Sequence, residues 1–293
     1  MINLNLVYPE QSGIKYNISK FPDGQQTLDL QEFQFGDDIR IITRLNNFKD
    51  VEILICAVQA LRNCNPLVKI SLQSPYFIGS RSDRKFQQGG VNYLKQVICP
   101  IINSLDFQKV SVLDPHSDVL EACLNNYEKI SNHKLVEWSL KDIDNKDNAN
   151  ERLILVSPDA GAYKKIFDVA KEFNIDSIIT ASKVRDLKTG NILRTEVPDL
   201  DILDEERNMK YVIIDDICDG GRTFLELAKV IKSKRPDSEV YLIVSHGIFS
   251  KSFLELSKYF TKIYSSNSYS DIDVESHSDY TVDKSFFEQF KVL

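Results

Sequence analysis

No apolar run in this 293-residue chain approaches the ~20 residues that a bilayer-spanning helix needs, and its first residues, Met1-Ile-Asn-Leu-Asn, carry neither a charged nor an apolar leader segment. A soluble, cytoplasmic protein is expected. Surplus positive charge is also lacking: 36 Lys and Arg against 43 Asp and Glu leave a net charge of −7, which argues against a surface made to coat nucleic acid or anionic membrane. Any anionic ligand must then be gripped locally. The five cysteines (Cys56, Cys64, Cys99, Cys123, Cys218) are odd in number and show no C-x-x-C spacing. Four lie in apolar stretches, so reduced buried thiols are expected rather than disulfides or zinc ligands. There is no G-x-x-x-x-G-K-[ST] stretch, so phosphate binding by a P-loop is excluded. Short-period repeats and low-complexity tracts are missing as well.

What is present is alternation. The first forty residues mix apolar and polar positions between turn signals and read as strands, including 27–30 and 39–43. A helix is predicted from Asp50, as N-cap, to Leu61, then a strand at 68–72, a long polar connection at 74–90, a helix near 91–105 and a strand at 109–113. Between Leu140 and Asn150 the apolar period disappears, which predicts a boundary between domains 1–145 and 146–293, the alternative being a long surface loop inside one domain. Beyond it come a strand at 153–157, a helix at 162–173, strands at 177–181 and 211–214, a helix at 224–231 and a strand at 240–245. Strands alternating with helices predict two tandem α/β domains, each a mostly parallel sheet covered by helices on both faces.

Four loops that follow predicted strands could carry chemistry. The stretch 211–224 places Asp215 and Asp216 at a strand end and runs through Asp219, Gly220, Gly221, Arg222 and Thr223 into a helix start. Paired carboxylates suit vicinal hydroxyls, and loop amides at a helix start suit a phosphate, so this stretch predicts a site for a phosphorylated ribose. Ser157-Pro-Asp159-Ala160-Gly161 has small residues that let backbone approach phosphate, with Asp159 placed to hold Mg²⁺. Asp114-Pro-His116 puts an imidazole at a strand end, as metal ligand, base or simple structural histidine. The cationic stretch from Tyr76 to Lys85 could grip a polyphosphate or merely be solvated.

In this order and spacing the chain resembles the ribose-phosphate pyrophosphokinases over nearly its whole length. Phe21-Pro-Asp23-Gly-Gln25 is similar to that family's adenine-contacting loop, and Tyr76 to Lys85, with Arg81, Ser82 and Asp83, to its ATP loop. Asp114-Pro-His116 is similar to its metal-binding histidine loop, Asp159-Ala160-Gly161 to its pyrophosphate loop, Lys183-Val-Arg185 to its catalytic flap, and Ser245-His-Gly-Ile-Phe-Ser250 to its strand-end signature. The resemblance implies transfer of the β,γ-diphosphoryl group of ATP to the C1 hydroxyl of a 5-phosphorylated ribose. It further implies Mg²⁺ held by His116 and Asp159, with Lys183, Arg185 and His116 as catalytic residues. Small molecules would be the only substrates, with no nucleic acid or membrane partner. The adenine loop would reach a neighbouring subunit, making the enzyme a homo-oligomer.

Several residues depart from the family pattern. Gln25 stands where an acidic residue is usual, Ser82 where Gln is, Ala162 where Gly is, Gly220 where Thr is and Arg222 where Gly is. The last two alter the pocket for a terminal 5-phosphate, and Arg is suited to a bidentate phosphate grip. They leave open a second acceptor, ADP-ribose, as in the phage-type synthetase-like proteins of NAD salvage that this chain is also similar to. For such a phage-encoded chain the compartment would be the host cytoplasm. A catalytically silent regulatory paralogue is a third reading, disfavoured by the presence of His116, Asp159, Lys183 and Arg185.

Overall fold

A computed structural model describes residues 1–31, 36–144, 152–185, 192–201, 209–251, 253–273 and 284–293. The chain divides into two compact units, Met1–Ser131 and Asn132–Leu293.

The first unit is built on five parallel strands in the order β1-β4-β5-β6-β7: β1 (Ile2–Asn5), β4 (Asp38–Ile42), β5 (Lys69–Ser74), β6 (Lys109–Leu113) and β7 (Tyr127–Ile130). An antiparallel hairpin of β2 (Tyr16–Lys20) and β3 (Gln26–Leu30) lies apart from this sheet and rests on helix α1 (Phe48–Cys64). Helix α1 buries Val51, Ile53, Leu54, Ala57, Val58 and Leu61, an apolar stripe at helical spacing. Its start differs from expectation. Asn47 is the N-cap, accepting from the Lys49 amide at 2.9 Å, and Asp50 is the reciprocal partner, taking the Asn47 amide at 2.9 Å. The helix expected near 91–105 begins as a wide π-turn at Leu94–Ile98 and continues as α2 (Cys99–Ser104). There Pro100, which has no N–H, sits in the first turn, where none is needed. Helix α3 (Val119–Cys123) leads into β7.

The second unit has a six-stranded parallel sheet in the order β15-β14-β13-β12-β8-β9. Its strands are β8 (Arg152–Ser157), β9 (Ile178–Thr180), β12 (Met209–Cys218), β13 (Glu239–Gly247), β14 (Lys262–Ser266) and β15 (Phe287–Phe290). Successive side chains of β12 alternate between two cores. Tyr211 and Ile213 pack with helix α6 (Arg222–Lys234), whereas Val212 and Ile214 pack with α4 (His133–Asp144) and α5 (Tyr163–Phe173). The unit also holds an antiparallel hairpin of β10 (Ser182–Arg185) and β11 (Ile192–Glu196), which lies against α6, and a short helix α7 (Leu254–Ser257).

The boundary expected between 145 and 146 therefore lies one helix earlier, between Ser131 and Asn132. The polar stretch that suggested it follows α4, and α4 belongs to the second unit because it buries Leu135, Val136 and Ile143 there. Its Asp142 also accepts from Lys262 and from the Tyr264 hydroxyl, each at 2.7 Å. Residues 145–151, most of that polar stretch, lie outside the described residues.

Candidate active site

The acidic pair is not at the end of its strand, as expected, but within it. Strand β12 continues through Asp215 and Asp216 to Cys218 because β13 accompanies it that far, Cys218 facing Gly247. On the other side β8 pairs no further than Ile213 and then turns away. The last five residues of β12 thus have a neighbour on one edge and an opening on the other, the position where parallel sheets take ligands.

Alternation decides where the two carboxyls point. Asp215 continues the α6 side of the sheet and Asp216 the α5 side. On that second side Lys165, in the first turn of α5, places its ammonium 3.5 Å from Oδ1 of Asp216, a side chain almost wholly enclosed. Asp215 Oδ1 accepts from the Asp216 amide at 2.9 Å. Burial, then the adjacent Asp216 charge, pushes the Asp215 carboxyl well above the ordinary carboxylate range; Lys165 pulls the other way. Two carboxylates this close and this enclosed call for a cation or for hydroxyl donors from a ligand.

Past Cys218 the chain turns through Asp219, Gly220 and Gly221 into α6. Gly221 sits at φ +71°, a conformation natural to glycine, and caps the helix without any side-chain hydrogen bond. The first amides of α6, at Arg222, Thr223 and Phe224, have no preceding helical carbonyl to donate to, an arrangement that suits an anion. The loop is braced by the segment after β13. The amides of Ile248 and Phe249 donate to the Cys218 carbonyl at 2.8 and 3.1 Å, and Ser250 Oγ donates to Asp219 Oδ1 at 2.6 Å. Gly247 makes the bend possible: a Cβ there would lie 2.2 Å from the Phe249 ring and 2.5 Å from Ser265 Oγ. The adjoining His246 is buried, its Nδ1 2.8 Å from Ser268 Oγ, which in turn donates to the Ser245 carbonyl at 2.9 Å. His246 is thereby a structural residue.

The Asp159 loop leaves the same sheet edge from β8, next to β12. Asp159 Oδ1 accepts from the amides of Gly161 and Ala162 at 3.0 and 3.2 Å, and Ser157 Oγ donates to the Asp159 carbonyl at 2.7 Å. Ala162 has φ −79°, ψ −12°, so glycine is not required there. Lys183 and Arg185 belong to β10, with Lys183 facing Thr195 of β11; their side chains lie outside what the structure describes.

In the first unit, the Arg81–Asp83 and His116 loops leave neighbouring parallel strands β5 and β6. The connection expected to be polar throughout begins with Tyr76, Phe77 and Ile78 buried, and turns outward at Arg81. Gly79, at φ +75°, makes that turn, and a Cβ there would meet Tyr93 at 2.9 Å. The Asp114 backbone is also left-handed, φ 35°, at the turn out of β6, and His116 beyond it is exposed. Phe21 is 52% exposed at the tip of the β2–β3 hairpin, whose turn is closed by Phe21 N–H donating to the Gln25 carbonyl at 2.8 Å and by the Gln25 amide donating to Asp23.

Of the five cysteines, all free, Cys99 and Cys218 are buried and Cys56, Cys64 and Cys123 are half-buried. Among the described residues no three His, Cys, Asp or Glu side chains gather as a metal cage, and no described helix is long and apolar enough to cross a membrane. Sequence reasoning did not single out Lys165 or Lys251. Lys165 could have been found from the alternation of β12, which sends Asp216 toward α5; nothing in the sequence marks Lys251.

A parallel sheet with an acidic pair on its central strand, a left-handed glycine and an open helix start defines a phosphoribosyl-binding fold. The chain belongs to the phosphoribosyl transferase domain family, whose pattern matches residues 126–284. Its curated relatives include the ribose-phosphate pyrophosphokinase of Nitrosomonas europaea, 26% identical over 242 residues that cover 82% of this chain and 72% of the relative. That of Mycoplasmopsis pulmonis is 27% identical over 245 residues, covering 81% and 70%. The fold is that of the phosphoribosylpyrophosphate synthetase from Mycobacterium smegmatis, with a TM-score of 0.76 at 15% identity over 97% of this chain and 88% of the other.

Proposed function

We propose that this protein transfers the β,γ-diphosphoryl group of ATP to the C1 hydroxyl of ribose 5-phosphate, giving phosphoribosyl diphosphate and AMP. The C1 oxygen attacks the β-phosphorus in line and loses its proton, while the bond between the α,β-bridging oxygen and the β-phosphorus breaks. The arrangement of β12 carries this reading: an enclosed acidic pair for the ribose hydroxyls, then a loop and open helix start for the 5-phosphate. The relatives named as ribose-phosphate pyrophosphokinases support it.

Phosphoryl chemistry of this kind needs position and charge neutralisation more than covalent help. Arg81, Ser82 and Asp83 would meet ATP, and Lys183 and Arg185 would stabilise the transferring group. Phe21, Asp23 and Gln25 would contact adenine on a neighbouring subunit, the enzyme acting as a homo-oligomer. Mg²⁺ would be held by Asp159 and His116. One imidazole and one carboxylate would leave such an ion its waters and the phosphate oxygens as further ligands. When bound it neutralises charge on the phosphate oxygens.

The test is AMP release from ATP and Mg²⁺ with ribose 5-phosphate, with ADP-ribose, and with no acceptor, the product being read by phosphorus NMR. A rate with ribose 5-phosphate well above the acceptor-free background is expected. No such rate, or one confined to ADP-ribose, overturns the reading.

A further inference from the structure

The segment Ile248–Lys251 does more than brace the ribose-phosphate loop. It is hung on that loop by three backbone hydrogen bonds, Ile248 and Phe249 to Cys218 and Ser250 to Asp219, and by the Ser250–Asp219 side-chain contact. Phe249 anchors it from below, with ring centroids 4.7 Å from Phe253 and 5.7 Å from Phe287. Lys251 follows directly, and its course is given by Gly220. A Cβ built on that glycine would lie 3.7, 3.5 and 3.6 Å from Cγ, Cδ and Cε of Lys251, so the aliphatic stem runs along the loop at a residue with no side chain to push it aside. Lys251 itself is exposed, as is Arg222 two residues beyond Gly220, and neither makes an ion pair among the described residues.

We propose that Lys251 is a binding residue for the acceptor, its ammonium reading the 5-phosphate held by the Asp219–Thr223 loop in company with Arg222. The idea rests on the phosphorylated-ribose reading of that loop and goes beyond it by naming a side chain from a different strand connection. The charge arithmetic favours it. A phosphate monoester carries close to two negative charges at neutral pH, and the open helix start contributes only about half a positive charge. Asp219, within the same turn, adds a negative one, partly occupied by Ser250. Arg222 and Lys251 supply two formal charges to balance the phosphate. Lysine suits the place because a compact ammonium on a flexible stem can settle on a tetrahedral anion from whatever side the loop leaves open. Packing of the stem on Gly220 narrows its range beforehand, lowering the entropy lost on binding.

The test uses Lys251→Met, which keeps the stem and deletes the charge, Lys251→Arg, and Lys171→Met as a control of equal charge loss at the far end of α5. Calorimetric titration with ribose 5-phosphate and with unphosphorylated ribose is done without ATP; turnover is measured separately. Lys251→Met should weaken ribose 5-phosphate binding about tenfold and leave ribose binding unchanged. It should raise the KM for ribose 5-phosphate with kcat within about twofold, the sign of a contact made equally in ground and transition states. Lys251→Arg should recover most of the affinity. Unchanged ribose 5-phosphate affinity in Lys251→Met, or an equal loss for ribose, overturns the assignment while the proposed activity stands. Conversely, a wild-type protein that binds ribose 5-phosphate through Lys251 but releases no AMP keeps the assignment and overturns the activity. If the wild type neither binds ribose 5-phosphate nor turns it over, both fall; if it turns over without binding in the absence of ATP, an unchanged KM in Lys251→Met overturns the assignment.

Discussion

Replacing Lys165 with Met would expose how the acidic pair is kept. The ammonium lies 3.5 Å from Oδ1 of Asp216, and at the effective dielectric of a protein site the gross attraction is roughly 5 kcal/mol. Much of that is offset by the hydration both groups give up. The Lys165 side chain also retains 24% exposure, so solvent screens the pair. Removing one partner nevertheless leaves Asp216 enclosed beside Asp215, and a net loss of about 1–3 kcal/mol is expected at pH 8. For a protein of this size that corresponds to a fall in Tm of roughly 2–5 °C. The deficit should depend on pH in a definite direction. Without Lys165 the native carboxyl pair takes up protons more readily, so the native state binds more protons than the unfolded chain over a wider range, and stability falls more steeply as pH rises above ~4. Urea unfolding of wild type, Lys165→Met and Lys171→Met at pH 5 and pH 8 measures this. A deficit no larger than that of Lys171→Met, or one equally large at pH 5, would refute the pairing as the means by which Asp216 stays charged.

Further outcomes follow from the same geometry. In the ligand-free protein Asp215 has a raised carboxyl pKa, so wild-type stability should decline as pH rises from ~4 toward that raised value, and Asp215→Asn should flatten the decline; parallel urea midpoints for the two proteins would contradict this. Gly247→Ala forces a methyl within 2.2 Å of the Phe249 ring and should cost at least about 1–3 kcal/mol, with the bracing of Asp219 by Ser250 disturbed, so that denaturation and acceptor affinity change together. Phe21→Ala, at an exposed hairpin tip, should alter stability by less than about 0.5 kcal/mol while raising the KM for ATP; an unchanged KM would remove Phe21 from adenine recognition.

Much of this architecture was legible because it depends on short-range rules. The 3.6-residue stripe of α1 and the apolar runs of β8, β12 and β13 announce themselves in sequence, and Asp-Gly-Gly ahead of an amphipathic stretch announces a turn into a helix. The place of α4 was not visible, since it is settled by packing rather than by local preference, whereas the Asn47 cap is a local motif, a capping box closed by Asp50 three residues on, and was readable. The polar stretch after Leu140 looked like a boundary because loops and linkers share a composition; only the burial of Leu135, Val136 and Ile143 assigns the preceding helix to the second unit.

The site divides in the same way. Sequence alone determined that two adjacent carboxylates precede a glycine turn and a helix, because those residue types and their order are covalent facts. Which carboxyl meets Lys165, how far β13 carries β12 past the end of β8, and that Lys251 lies along Gly220 were decided by tertiary structure. These are contacts between residues some thirty to sixty positions apart, and they exist only once the parallel sheet has set neighbouring strand ends side by side.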